Sequence, residues 1–378
     1  MILLKEGYAL QAHSAKARDS SIELLRIISM FMIVMHHFAV HGGFSFAAQT
    51  LTVPRFWYSF IIMGGKTGVN IFVLISGYFL INDRYKFPKL KNVLKLLGQV
   101  LFYSVIFTAI FGFFGLKKIT RTLLIETFLP VTYGSYWFAS AYVVLYLLHP
   151  FINVLLLKLK KAEYQKLLAL LLVIWCVIPT FLNSNYQSNN LLWFITVYVI
   201  AGYIRLYGLN PRFEAKHYLL LWVIFTALQY LCSVGMMLLG AKSKFIYKNV
   251  QHFNSMQSII VLLCAISAFM VFVKHKIRVN KPINIIASAA FGVYLIHDNR
   301  LVRQFLWKTF FNNAQFQDSL FIIPYSIFAA AAVYIVCTVI DLLRQKLFEK
   351  PYLKFVDFAV PRITACCEKA FLLFKKVL

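Results

Sequence analysis

Apolar runs long enough to cross a bilayer recur along this chain from one end to the other, and that recurrence excludes most folds at once. A membrane-crossing helix needs about 20 largely apolar residues. Such runs stand at 22–42, 57–82, 93–115, 136–157, 166–183, 191–207, 217–239, 256–273, 283–301 and 318–343. The composition agrees: of 378 residues, 61% are hydrophobic, 37 are Phe and only 14% are charged. A soluble domain of this size has too little interior to hide so much apolar surface. The short alternating strands of a membrane barrel are absent. The expected fold is all-α, a polytopic integral membrane helix bundle of about ten transmembrane helices.

The formal net charge of +26 fits this fold rather than nucleic-acid binding. The basic residues fall in short loops between spans, where they set orientation and meet anionic headgroups. Arg84, Lys86, Lys89 and Lys91, then Lys158, Lys160 and Lys161, then Arg205, Arg212 and Lys216, then Lys274, Lys276, Arg278 and Lys281 all fall on one side if spans alternate. Lys117, Lys118 and Arg121 break the pattern. The bias places both termini in the cytoplasm. It divides the chain into a cytoplasmic segment 1–20, a membrane domain 21–345 and a basic cytoplasmic tail 346–378. Gly64, Gly65, Lys66, Thr67 and Gly68 interrupt the second run, so a broken helix is expected there, and 119–134 reads as an interfacial or re-entrant piece. Cys176, Cys232, Cys264 and Cys337 lie in apolar runs, where a small hydrophobe is the expected role.

The first run, SIELLRIISMFMIVMHHFAVHGG, contains Glu23, Arg26, His36, His37 and His41. Titratable groups inside a span are costly, and their default reading is functional. Arg26 and His37 are eleven residues apart, about three helical turns, so they project from one face about 16 Å apart along the axis. His41 lies on the face of His37. A neutral imidazole can take a proton from an alcohol, the general-base step of acyl transfer, or it can simply bond a neighbouring helix. Glu23 is about 21 Å from His37 along the helix and is expected to pair with Arg26 instead. The hydrogen-bond partner of His37 must come from another helix. FGVYLIHD in the ninth run offers Tyr294 and His297 one turn apart with Asp298 beside them, at a depth similar to that of His37.

An acidic residue three before an arginine, then ten residues and a histidine, resembles the opening helix of the acyltransferase-3 family of polytopic membrane O-acyltransferases. Glu23 stands where the family more often has Asp. Three further blocks follow in the family's order. GVNIFVLISGYFLI matches through Gly68, Val69, Phe72, Leu74, Ser76 and Gly77; YWFASAYVVLYLLHPFIN matches as an aromatic opening with a Pro-Phe-x-Asn close; Tyr294, Leu295 and His297 match the late Tyr-Leu-x-His signature.

The resemblance implies transfer of an acyl group, usually acetyl, from acyl-CoA to a hydroxyl of a cell-surface or lipid-linked glycan, in a bacterial cytoplasmic membrane. On that reading His37, Arg26 and Glu23 form the catalytic set. Arg26 with Lys86, Lys89, Lys91 and Lys95 holds the acetyl-CoA phosphates, and lysines stand where many members carry paired arginines. Asn70, Ser76, Trp137, Tyr294 and His297 line the site. No metal is expected, because no carboxylate or Cys near His37 and His41 in the sequence completes a ligand set. Nor does Gly64-Gly65-Lys66-Thr67 have the spacing of a phosphate loop. The competing reading is an exporter of glycan or lipid-linked sugar with no covalent chemistry, since buried titratable groups also suit transport.

Overall fold

The computed structural model describes residues 18–83, 88–182 and 188–377, with side chains through Cys366. Among them there is no strand, and nine segments are long and apolar enough to cross a membrane. The helices are α1 (Ser20–His41), α2 (Val53–Leu80), α3 (Leu90–Phe113), α4 (Arg121–Phe128) and α5 (Trp137–Lys158). Then come α6 (Lys161–Leu172), joined through a π-turn to α7 (Ile178–Leu182), α8 (Asn190–Tyr207), α9 (Ala215–Gly240) and α10 (Lys244–Lys248). The chain finishes with α11 (Ile259–Lys274), α12 (Lys281–Ser288), α13 (Ala290–His297), α14 (Arg300–Gln304), α15 (Ile322–Arg344) and α16 (Lys350–Val377).

Helix α1 sits at the centre and packs against α2, α11, α12, α13 and α15. Its start is fastened to the α11–α12 connection. Asp19 caps the first turn by accepting from Ser21 N at 3.1 Å. The hydroxyls of Ser21 and Ser20 accept from the backbone N–H of Ile277 and Asn280, each at 2.8 Å. Orphan amides on both sides of the junction are thereby satisfied.

The glycines of the second run do not break it. Helix α2 is continuous, and Gly64, Gly65 and Gly68 form the surface on which α1 lies. A Cβ on Gly65 would come 2.2 Å from His36 Cγ, and one on Gly68 would come 2.7 Å from the Ser29 carbonyl oxygen. The expectation of a broken helix at 64–68 is therefore corrected. Small residues three or four apart let two membrane helices approach backbone to backbone, and here they do so without loss of helical hydrogen bonds.

The break falls instead in the ninth run. The expected single span 283–301 is two eight-residue helices, α12 and α13, joined at Ala289. The Ser288 hydroxyl donates back to the Ile285 carbonyl at 2.7 Å, competing with the helical ladder. Gln345 Nε2 from the end of α15 donates to the Ser288 carbonyl at 3.3 Å. Ala287, Ala289 and Ala290 are buried, so the irregular backbone is covered by protein, as membrane depth requires.

Helix α15 runs antiparallel to α3, and a buried polar cluster joins them. Asp341 is fully buried and accepts from Tyr103 Oη (2.7 Å), Gln99 Nε2 (3.1 Å), Gln345 Nε2 (2.8 Å) and Arg344 Nε (2.7 Å). Four donors on one carboxylate make burying the charge tolerable. Segment 119–134 forms the short helix α4, which packs against α3 through a Thr108–Thr127 hydroxyl pair at 2.9 Å.

Candidate active site

The break after α12 carries α13 to the level of the histidines on α1. His297, fully buried, hydrogen-bonds through Nε2 to His37 Nδ1 at 2.9 Å. Its other ring nitrogen, Nδ1, lies 2.6 Å from the Val293 carbonyl oxygen. A carbonyl only accepts, so His297 Nδ1 carries the proton. In the neutral ring Nε2 is then the acceptor, and His37 Nδ1–H donates to it. This chain of two bonds assigns the tautomer of His37 and leaves its Nε2 as the basic nitrogen.

Asp298 follows His297 and closes the ring of polar groups. Its Oδ1 lies 3.8 Å from His37 Nδ1, 3.4 Å from His41 Nε2 and 3.3 Å from an Arg303 guanidinium nitrogen. His36, one residue before His37, is tied to α2: its Nδ1 donates to the Ile62 carbonyl at 2.7 Å, and its ring occupies the space left by Gly65.

Three cavities lie in file along α1. At the end carrying Arg26, a cavity of about 370 Å³ is lined by Arg18, Glu23, Arg26, Ser76, Lys95 and Gln99, among others. It shares Phe72, Phe138 and Phe291 with a narrow middle space of about 50 Å³ that His37, Lys66, Trp137 and Tyr294 also line. The middle space shares His36, His37, Lys66 and Trp137 with an outer vestibule of about 510 Å³, whose wall adds His41, Tyr58, Gln251, Asn254, Asp298 and Arg303. His37 stands at the junction.

The expected site residues separate on this map. Arg26 and Glu23 pair at 3.7 Å on the wall of the first cavity, and Arg26 Nε makes no hydrogen bond. Ser76 lines the same cavity while its hydroxyl donates to the Phe72 carbonyl at 2.9 Å. Lys95 lines it too, held by Glu349 at 2.6 Å. Lys89 and Lys91 are directed to Asp83 (3.5 Å) and Asp357 (2.6 Å) and line none of the three cavities. Lys86, with Arg84, lies outside the described residues. Asn70 is not at the site: its amide donates to the Met256 carbonyl and accepts from Trp193 Nε1, both at 2.9 Å, so it ties α2 to α8 and to the turn before α11. Trp137, Tyr294 and His297 all surround His37.

Three groups were not assigned a role from sequence. Asp298 was visible as the neighbour of His297, but only folding brings it to His41. Arg303 lies beyond the predicted span. Lys66 is visible as a cation within an apolar run, at the point where the glycines around it lead to the expectation of a broken helix. The ground for setting a metal aside is corrected, because Asp298 completes a set in which His37, His41 and Asp298 place one ligand atom each within 4.8 Å of one another. In that set Asp298 Oδ1 is shared with Arg303, and His37 Nδ1 with His297.

A base with an assigned tautomer, at a narrow point between two polar cavities, suits the transfer of a group from a donor on one side to a hydroxyl on the other. No solved structure and no curated protein matches the chain. Comparison with protein families matches residues 19–342 to the acyltransferase domain. That match spans nearly the whole chain, from the cap of α1 to the end of α15, and the protein belongs to the acyltransferase-3 family of membrane acyltransferases.

Proposed function

We propose that this acyltransferase moves an acetyl group from acetyl-CoA to a hydroxyl of a cell-surface or lipid-linked glycan, in a bacterial cytoplasmic membrane. One observation supports the reading: His37 lines both the outer vestibule and the narrow middle space, and that middle space shares Phe72, Phe138 and Phe291 with the cavity at the Arg26 end. The donor approaches from the end where Arg18, Arg26 and Lys95 line the wall, a cationic mouth suited to phosphates. That end is taken as cytoplasmic, since the loops beside it carry most of the lysines and arginines. The thin acyl-bearing arm passes Phe72, Phe138 and Phe291, and the acceptor occupies the vestibule with Trp137 and Tyr58 as stacking surfaces.

His37 Nε2 takes the hydroxyl proton as the acceptor oxygen attacks the thioester carbonyl. The carbon–sulfur bond then breaks, and the CoA thiolate leaves with the proton that His37 held. His297 keeps the imidazole in the correct tautomer throughout, and nearby Asp298 favours the transient imidazolium.

The test is purified protein with radiolabelled acetyl-CoA in the presence of host membranes. The wild type should release CoA and label glycan, while His37→Ala and His37→Gln should insert normally and do neither. Glycan acetylation persisting in His37→Ala would sink the proposal. An exporter predicts neither label uptake nor CoA release by the wild type.

A further inference from the structure

Attack on a thioester carbonyl builds negative charge on its oxygen, and a base such as His37 takes up only the proton. Lys66 is the candidate for meeting that charge. It lies within α2, well inside an apolar run, and lines both the narrow middle space and the outer vestibule. Its Nζ stands over the Trp137 ring, 5.1 Å from the centroid. Among the described residues Lys66 makes no ion pair. The carboxylate of the shared vestibule, Asp298, is instead surrounded by His41, His37 and Arg303. An ammonium at this depth, with an aromatic face beside it and the Asp298 carboxylate acting on it only from beyond ion-pair distance, is poorly compensated.

Across the same narrow space is Tyr294. It is 4% exposed; the Phe138 backbone N–H approaches its phenolic oxygen, and its own O–H donates to no acceptor among the described residues. A buried O–H without an acceptor is costly, and Tyr294 is the one such hydroxyl among the residues lining this space. The first turn of α5 opens on this space too, since Trp137 and Phe138 line it, and no side chain caps that helix start. The Lys66 side chain, the Tyr294 phenol and the first turn of a 22-residue helix therefore border one small volume beside His37. All three are suited to a negative charge, and none is held in an ion pair among the described residues.

We propose that Lys66 and Tyr294 form the oxyanion-stabilising side of the reaction centre, which rests on the acyl-transfer reading given above. When the acceptor oxygen bonds to the thioester carbon, the carbonyl electron pair moves onto its oxygen. The Lys66 ammonium and the Tyr294 O–H hold that oxygen while His37 holds the proton. As the carbonyl re-forms, the carbon–sulfur bond breaks and the thiolate recovers the proton from His37. Donors fixed in place before the reaction stabilise charge that exists only in the transition state, and so raise turnover rather than donor affinity.

The experiment measures CoA release by the full chain, purified with its membrane lipids and supplied with acetyl-CoA and host glycan-bearing membranes. It is paired with binding of a donor analogue in which CH2 replaces the thioester sulfur. Lys66→Met should lower kcat by about 10²–10³-fold, the range for losing one oxyanion donor, with analogue affinity unchanged. Lys66→Arg, which keeps the charge, should recover most of that loss. Tyr294→Phe removes an O–H that donates to nothing, so a purely structural role predicts full activity and little change in thermal stability, whereas our assignment predicts at least a tenfold loss in kcat (about that scale for one neutral donor). It carries the test if Lys66→Met folds poorly.

If the wild type releases CoA, His37→Ala does not, and both Lys66→Met and Tyr294→Phe match the wild type, the oxyanion assignment is overturned while acyl transfer stands. If Lys66→Met raises KM for the acceptor at unchanged kcat, Lys66 holds an anionic acceptor instead, and the assignment is again overturned. If wild type and His37→Ala are equally silent, the donor reading fails and takes this inference with it.

Discussion

At the scale of single residues, the site depends on a bond that ends on a backbone carbonyl. Val293 O determines which nitrogen of His297 carries a proton, and His297 in turn determines which nitrogen of His37 is basic. His297 is therefore a positioning residue. His297→Phe should lower kcat by about 10²-fold or more, within the range attributed to general-base action, and displace the pH–rate profile without changing donor KM. His297→Gln keeps a carbonyl acceptor for His37 Nδ1–H and should retain more activity than Phe. Equal activity of the two variants, measured as kcat against pH, would remove His297 from the mechanism. From the sequence, Arg26 and His37 could be placed on one face of one helix, because helical spacing is a local property. The partner of His37 could be narrowed to a similar depth but not identified, because depth along two spans does not reveal whether the helices touch.

At the scale of elements, two expectations exchanged places. The glycine-rich 64–68 stretch is an unbroken helix, and the alanine-rich 287–290 stretch is the break. Glycine in an apolar run signals either irregular backbone or close approach, and only the neighbour distinguishes them. Here α1 is the neighbour, with the His36 ring seated on Gly65. Gly65→Ala should therefore overpack the α1–α2 contact and destabilise the protein by about 1–3 kcal/mol. Gly235 on α9 has nothing within 4 Å of a built Cβ, so Gly235→Ala should be neutral or stabilising by up to about 1 kcal/mol. Thermal unfolding in detergent checks both, and equal shifts would refute the packing account of Gly65. The break at Ala289 could not be read locally, because the groups that satisfy it, above all Gln345, come from 57 residues away.

At the scale of the whole molecule, the three cavities give the bundle a direction. Cations line one end, a tight aromatic waist follows at Phe72, Phe138 and Phe291, and a roomy polar vestibule closes the file. If donor and acceptor use opposite ends, sealed vesicles should show sidedness. Acetyl-CoA supplied only at the Arg26 face should support labelling of glycan enclosed on the other side, and acetyl-CoA supplied only at the His41 face should not. Equal labelling from both faces would show that the waist does not separate donor from acceptor. The waist also offers a control, since Phe291→Trp adds bulk at a point shared by two cavities and should slow transfer more than it weakens donor binding at the mouth.

What this sequence determined alone was everything that follows from hydropathy and local period. That includes an all-helical membrane bundle, the approximate position of its spans, the shared face of Arg26 and His37, and the pairing of Glu23 with Arg26. Only the tertiary structure decided what requires two distant segments to meet. It joined His37 to His297, brought Asp298 to His41, assigned Asn70 to packing, turned Lys89 and Lys91 away from the cavities, and set Lys66 and Tyr294 on the walls of one narrow space. The reason is physical. Apolar transfer and helical geometry act residue by residue and leave a periodic trace in the chain, whereas a hydrogen bond across helices depends on rotation and depth that neighbouring residues do not encode.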